Sequence, residues 1–356
     1  MLTYILRRLA LMVPTLIGMT LMLFVIVRFA PGVGSGPGGL GPGGDMQGNE
    51  ARLEQIKKHQ QRLGMVDAEG NKIPIYKQYF IWLDNTFKFW RVPMASNVRI
   101  PTPIPTGIDL GESMQYRKPV WELVKERVPT TATLNIISIF FVYLIALPGG
   151  MLAAAKRGRS FDVAWGLTTL ALYSLPTMWI GSMLIGFLAN PQYVKLFPAA
   201  GLHATDTRYM TFWQYSFDYM WHLVLPIITM TYAGFAYLSK QMRASMLDNL
   251  SQDYARTAKA KGLSGFVVAT RHVFRNSLLP LITIATGIIP GLIGGSVIIE
   301  TMFSIKGMGE LAFRSTLARD LPVMQALGLI SGVLVLVSYL ITDLCYAVAD
   351  PRVSYD

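Results

Sequence analysis

Four histidines, His59, His203, His222 and His272, are the imidazoles available for acid–base or metal chemistry, and they are scattered along the chain. None stands in a His-Glu-x-x-His spacing, which would set two ring nitrogens on one helix face beside a carboxylate. The one cysteine, Cys345, lies in the last apolar segment, so an internal disulfide and a thiolate-built metal site are excluded. No Gly-x-x-x-x-Gly-Lys-Ser/Thr stretch occurs, so ATP is not expected to bind through a P-loop. Gly36-x-Gly38-x-x-Gly41 has the form of a dinucleotide fingerprint. Pro37 and Pro42 break it and it follows an apolar span rather than a strand, so Gly32 to Gly48 reads as a flexible linker. These residues make no catalytic constellation.

The most patterned stretch is polar: Ser251 to Pro280, SQDYARTAKAKGLSGFVVATRHVFRNSLLP, with long apolar segments on both sides. Ser251 is placed to cap a short helix, with Asp253 in its first turn and Lys259 and Lys261 in its last. Gly262 stands where a left-handed residue ends a helix. Ala255 and Ala258 lie three apart and leave one face nearly bald, a face that would let the backbone press into another protein's cleft. The competing reading is an ordinary solvated loop.

The elements that must carry this loop are membrane spans. The chain has 356 residues, 52% hydrophobic and 15% charged, with a formal net charge of +11. That composition, with a mean hydropathy of +0.39, is that of a polytopic membrane protein. Its basic residues gather at span edges, where lipid head groups account for them and nucleic acid is not implied. Arg8 and Arg28 enclose 19 uncharged residues. A cleaved signal peptide is the rival reading there, and Arg28 followed by Phe29-Ala30-Pro31 makes a poor cleavage site. Uncharged stretches of 28, 32, 21, 24 and 22 residues follow, between Arg127 and Lys156, Asp162 and Lys195, Asp218 and Lys240, Arg275 and Glu300, and Asp320 and Asp343. Each is long enough to cross a bilayer, so an all-α protein of six transmembrane helices is expected. Lys and Arg in the short loops number 13 on the side that holds Arg7 and the Ser251 loop, against 5 on the other. Both termini and the Ser251 loop are therefore expected in the cytoplasm, and the long segment 31–128 outside. The dense aromatics from Tyr76 to Trp90 read as a small core of that outer segment.

Within the spans, Gly287, Gly291 and Gly295 repeat every four residues with Pro290 among them, the pattern of close helix packing with a kink, in a static bundle or a moving gate. Asn135, Ser138 and Tyr143, with Thr133, are candidates for a polar translocation path, and equally for hydrogen bonds between helices. Arg28, Glu300 and Asp343 fall at span ends, where interfacial anchoring is expected.

Asp253-Tyr254-Ala255, six residues, then Gly262-Leu263 resembles the EAA loop of ABC-importer permeases, with Asp253 for the usual Glu and Tyr254 for the first Ala. Arg271-His272 and Arg275-Asn276-x-Leu278-Leu279-Pro280 are similar to the continuation in the dipeptide, oligopeptide and nickel branch. So are Gly294-Gly295-Ser296, Glu300-x-x-Phe303-Ser304, Gly307-x-Gly309 and Asp350-Pro351-Arg352. The long outer segment, with pieces 67–73 and 91–108 inserted, resembles the microcin-C-type subgroup. The resemblance implies a type I ABC-importer permease fold. Residues 1–30 would form the tail and first helix, 31–128 the extracytoplasmic insert, and 129–356 a five-helix core with a coupling loop at 240–277. It implies coupling to cytoplasmic ATPase subunits through Asp253, Tyr254, Ala255, Ala258, Gly262 and Leu263. The ATPases would use ATP and Mg, with no cofactor in this chain, and a second permease would complete a heterodimer. An external binding protein would deliver the substrate, in a bacterial inner membrane. Dipeptides, longer peptides, nickel and antibiotic peptides all stay open. The alternative is an ion-coupled secondary transporter or channel, which predicts inverted repeats and mid-membrane charge. A membrane-embedded enzyme is a third reading.

Overall fold

The structure is a computed structural model that describes residues 2–29, 57, 60–61, 64–67, 69–88, 90–91, 100–101, 107–278, 280–281, 284 and 287–349. The linker Gly32 to Gly48, most of residues 50–63, most of the piece 91–108, and Asp350-Pro351-Arg352 lie outside the described residues. In chain order the helices are α1 Leu2–Phe29, α2 Ile75–Phe87, α3 Val120–Ala155, α4 Ser160–Ser174, α5 Thr177–Leu184, α6 Phe212–Leu250 and α7 Asp253–Ala260. Beyond a run of short turns come α8 Ile289–Gly294, α9 Val297–Met302, α10 Met308–Leu317 and α11 Leu321–Ala349. The described strands are one antiparallel pair of two residues each, Trp90–Arg91 with Ile100–Pro101.

Four helices are long and apolar enough to cross a membrane, Leu6–Phe29, Val120–Ala155, Phe212–Leu250 and Leu321–Cys345. The 32-residue uncharged stretch after Asp162 is not one straight helix: Ser160–Ser174 and Thr177–Ala189 meet at 92°. Pro176 is the cause, since the residue before a proline is pushed out of the α region, and Leu175 is extended at ψ 131°. The Tyr232 hydroxyl donates to the Leu175 carbonyl at 2.9 Å, giving a partner to a group that the break would orphan. Among the described residues, the stretch expected as a span between Arg275 and Glu300 has turns at Leu278, Gly287 and Ile288, and Gly295 and Ser296 part α8 from α9. Among the described residues four helices, or five with the bent pair counted as one, are thus long and apolar enough to cross a membrane, where six spans were expected.

The chain divides into two compact units. The first takes residues 1–8, 127–311 and 334–356. Its core has two apolar clusters. One gathers Ala146, Leu238, Met242, Met246, Val268 and Val273, and the other Leu134, Leu223, Leu225, Ile299, Phe303 and Ile305. Arg8 and Asp343 pair at 3.0 Å in this unit. The second unit takes residues 9–126 and 312–333. There the described aromatics of α2 pack on one another and on α1. Tyr79 and Trp82 pack on Phe24 of α1, with ring centroids 5.5 and 5.9 Å away, and the Tyr79 hydroxyl meets Thr20 at 3.0 Å. Tyr76 and Phe80 stay exposed. Arg28, expected as an interfacial anchor, is half-buried and donates through Nε to Gln78 Oε1 at 2.6 Å.

Candidate functional site

α7 is the helix that the Ser251 loop was expected to hold. Its boundaries follow from local chemistry. The N-cap is Gln252, in extended conformation and without a side-chain cap bond. Ser251 does not cap it: its hydroxyl donates to the Asp248 carbonyl at 2.7 Å, one turn back on α6. A serine directly after a helix has carbonyls behind it as well as N–H groups ahead, and here the carbonyl wins. The C-terminal end is as expected. Gly262 has φ +82°, its N–H reaches the Lys259 carbonyl at 3.0 Å, and the Leu263 N–H reaches Ala258 at 3.4 Å. Those two bonds form a Schellman motif, which requires a left-handed residue at the glycine. A Cβ at Gly262 would meet nothing within 4 Å, so conformation alone, not space, calls for glycine.

The bald face of α7 points the other way from the expectation. Ala255 is 0% and Ala258 6% exposed, both in the cluster with Leu238, Met242, Met246, Val268 and Val273. Their small side chains let α7 lie close against α6 and the π-helical turns Val268–Val273 of its own chain, so no partner can reach that face. The outward face carries Asp253, Tyr254, Arg256, Thr257 and Lys259, with Leu263 exposed just beyond the end. Tyr254 is fastened by its hydroxyl to Asn249 Oδ1 at 2.7 Å.

The support under α7 is α6, whose 39 residues span about 58 Å at 1.5 Å per residue, well beyond a hydrocarbon core of about 30 Å. Residues 240–250, counted in the loop by the sequence reading, continue this helix. Arg243 on the extension binds Asp162 of α4 through two nitrogens, at 2.5 and 2.8 Å, and Asp162 also accepts the Gly158 N–H at 3.0 Å. Ser245 and Ser277 exchange hydroxyl-to-carbonyl bonds at 3.0 and 3.3 Å, joining α6 to the segment that returns after α7. α7 therefore sits on a pinned platform, with its polar face outward.

A model of one family, the binding-protein-dependent transport system inner membrane component, matches residues 146–355. The chain belongs to this family. The permease is 35% identical over 358 residues to the oligopeptide transport system permease protein AppB of Bacillus subtilis, with 100% of both chains covered. It is 32% identical over 376 residues to the dipeptide transport system permease protein DppB of Escherichia coli K12, covering 100% of this chain and 99% of the other. The peptidoglycan transport system permease protein YejB of Agrobacterium fabrum is 31% identical over 367 residues, with 99% and 98% covered. A solved structure of the MetNI methionine ABC transporter in an inward-facing conformation overlaps at TM-score 0.49 and 17% identity, covering 65% of this chain and 97% of that one.

The expected packing stripe of the permease is dispersed. Gly287 lies in a turn, Pro290 and Gly291 lie in α8, and a Cβ at Gly291 would meet nothing. Gly295 stands beyond the end of α8 at φ +75°, so the four-residue spacing does not make one helix face. Close approach happens instead at Gly149 and Gly150 of α3. A Cβ on Gly149 would strike the Trp165 ring, and one on Gly150 would lie 2.6 Å from the Ser239 carbonyl. The Pro148-Gly149-Gly150 run was the available signal.

The path candidates part company. The Asn135 amide folds back onto the Thr131 carbonyl at 2.9 Å. Ser138 Oγ and the Tyr143 hydroxyl are both buried without a hydrogen-bond partner among the described residues. Tyr143 lines an apolar cavity of about 610 Å³ with Phe140, Leu147, Met151, Thr270 and Phe274. Asn135 and Ser138 are not among its lining residues.

Glu300 is the residue whose role the sequence reading misplaced. It is not an interfacial anchor: it is 1% exposed, and its carboxylate accepts from Thr131 Oγ1 at 3.0 Å, the Ser296 N–H at 3.2 Å and the Glu310 N–H at 2.9 Å.

Proposed function

We propose that this permease is one membrane subunit of an ATP-driven importer of short peptides. The observation that carries the reading is the end-to-end likeness, at 35% and 32% identity, to an oligopeptide and a dipeptide permease. The proposed assembly has a second, related permease as heterodimer partner, cytoplasmic ATPases that use ATP and Mg, and an extracytoplasmic binding protein. The proposed fold is the type I importer core, in which the bent pair α4–α5 and the broken stretch 276–299 each make a crossing, for six in all. Both termini then lie in the cytoplasm, 1–30 makes the first span, 31–128 lies outside, and 129–356 is the core.

Coupling in this proposal runs through the outward face of α7. Asp253, Tyr254 and Leu263 meet the ATPase cleft with Arg256. Ala255, Ala258 and Gly262 act one step back, seating and ending the helix so that motion of the ATPase passes into α6. Ser138 and Tyr143, with unpartnered buried hydroxyls, are the polar groups of α3 best supported as facing a translocation path. Gly287, Pro290, Gly291 and Gly295 are proposed as the flexible breaks of a gate rather than as a packing stripe.

The test is a mild-detergent pull-down of the tagged chain from its native membrane, with crosslinking from an Arg256→Cys variant. A P-loop ATPase and a second permease in near-equal amounts are expected, with the ATPase crosslinked at the exposed face. Recovery of the second permease with no ATPase, before and after crosslinking, would overturn the proposal in favour of an ion-driven carrier.

A further inference from the structure

The Glu300 carboxylate is a meeting point. Its Oε1 takes the Thr131 hydroxyl and the Ser296 N–H, and its Oε2 takes the Glu310 N–H. The Thr131 oxygen in turn accepts the Met308 N–H at 2.8 Å. Met308, Gly309 and Glu310 open α10, so these are the N–H groups that a helix start leaves without partners. A carboxylate there is favoured by the exposed donors and by the helix dipole together. Ser296 is the N-cap of α9. One buried carboxylate therefore completes the starts of α9 and α10 and fastens both to α3 through Thr131.

The backbone is shaped around it. A Cβ on Gly307 would strike the carboxylate, and one on Gly295 would lie 2.5 Å from Glu300 Oε1 and 2.5 Å from the Gly309 nitrogen. One on Gly309 would lie 2.6 Å from the Val297 nitrogen. The Ile305 N–H closes the turn on the Glu300 carbonyl at 2.7 Å, and Ser304 takes the left-handed φ of +51°. Gly295 and Gly307 thus have no room for a side chain beside this carboxylate and Gly309 has none beside Val297, while the left-handed Ser304 lies in a turn closed by the Glu300 main-chain carbonyl. Before Gly295 the constraint ends: α8 is separated from α9 by Gly295 and Ser296, and Gly287 and Gly291 are exposed.

We propose that Glu300 is a positioning residue for transport: it ties α3, α9 and α10 into one rigid body, so that the rocking motion hinges in the segment 287–295 and occurs only when ATP is used. This rests on the importer reading above. Glutamine in its place keeps the size but turns an amide NH₂ toward N–H and hydroxyl donors, so at least one of the three contacts is lost and becomes a repulsion.

The experiment uses the complete importer, with both permeases, ATPases and binding protein, in proteoliposomes with labelled tri-alanine as the probe. Glu300→Gln, normalised to assembled complex, is expected to raise ATP hydrolysis in the absence of binding protein by about fivefold or more, the low end of an inter-site coupling free energy. Uptake per ATP should fall correspondingly. Thr131→Val, which leaves the carboxylate in place, should move both readouts in the same direction and by less, and Thr131→Ser should restore them. If the glutamine variant is too unstable to assemble, the valine–serine pair carries the test on its own. A residue that only stabilises the fold would lower the yield of complex and leave uptake per ATP unchanged, and that result with an active wild type overturns the inference alone. A wild-type complex without ATP-dependent uptake overturns the importer reading and this inference with it.

Discussion

Gly262 offers the sharpest test of α7 as a lever, because its two possible reasons for being glycine are separated. A Cβ there meets nothing within 4 Å, so replacement adds no clash. What remains is φ +82°, where an L-residue with a Cβ costs roughly 1–2 kcal/mol. Asparagine tolerates that conformation better than alanine, so its cost lies at the low end. The cost falls on the bonds from the Gly262 and Leu263 N–H groups to Lys259 and Ala258, and not on the burial of Ala255. Losing 1–2 kcal/mol there changes the population of the closed cap by roughly 5- to 30-fold. Hydrogen exchange by mass spectrometry over residues 258–266 of the assembled complex should show Gly262→Ala exchanging faster by about that factor, and Gly262→Asn by less. Gly262→Asp adds a negative charge at a helix C-terminus, an unfavourable dipole contact, and should lower uptake per ATP furthest while membrane insertion stays intact. Equal exchange in wild type, alanine and asparagine variants would refute the conformational argument. Uptake per ATP that stayed normal while exchange rose would refute the lever.

Two further predictions concern the supports. Asp162→Asn leaves Arg243, which is about one-third exposed, without its anionic partner, and should cost about 2 kcal/mol, below the 3–5 kcal/mol range of a fully buried broken pair; the thermal midpoint of the purified complex should drop while the mass of the assembly is unchanged. Asp320 is 1% exposed and accepts from the Ser113 hydroxyl and from the Met114 and Gln115 N–H groups at 3.2 and 3.1 Å, so Asp320→Asn should loosen the loop 113–118 by roughly 1–3 kcal/mol. Limited proteolysis should then cut near Tyr116 faster than in wild type, and an unchanged cutting rate would show that this carboxylate does not hold the loop.

Several features were legible because they depend only on neighbours in the chain. Apolar runs between charges mark the long helices, since a bilayer selects by length and hydropathy and both are local sums. The helix from Asp253 and its stop at Gly262 were equally legible, because a Schellman cap is a matter of one residue's φ and two bonds within six residues. Tertiary structure decided which face of that helix is buried. The alanine pattern marks a face of close approach, and only the packing of α6 and Val268–Val273 turns it inward and leaves Tyr254 and Arg256 outside. It also decided the fate of Glu300 and Asp320, which look alike as charges at the ends of apolar stretches. Their donors include residues at separations of 169 and 207 positions, and no local pattern encodes a partner that distant. The glycine repeat at 287, 291 and 295 misled for the same reason: spacing makes a stripe only while the backbone stays helical, and at Gly295 the contacts around Glu300 hold it at a positive φ.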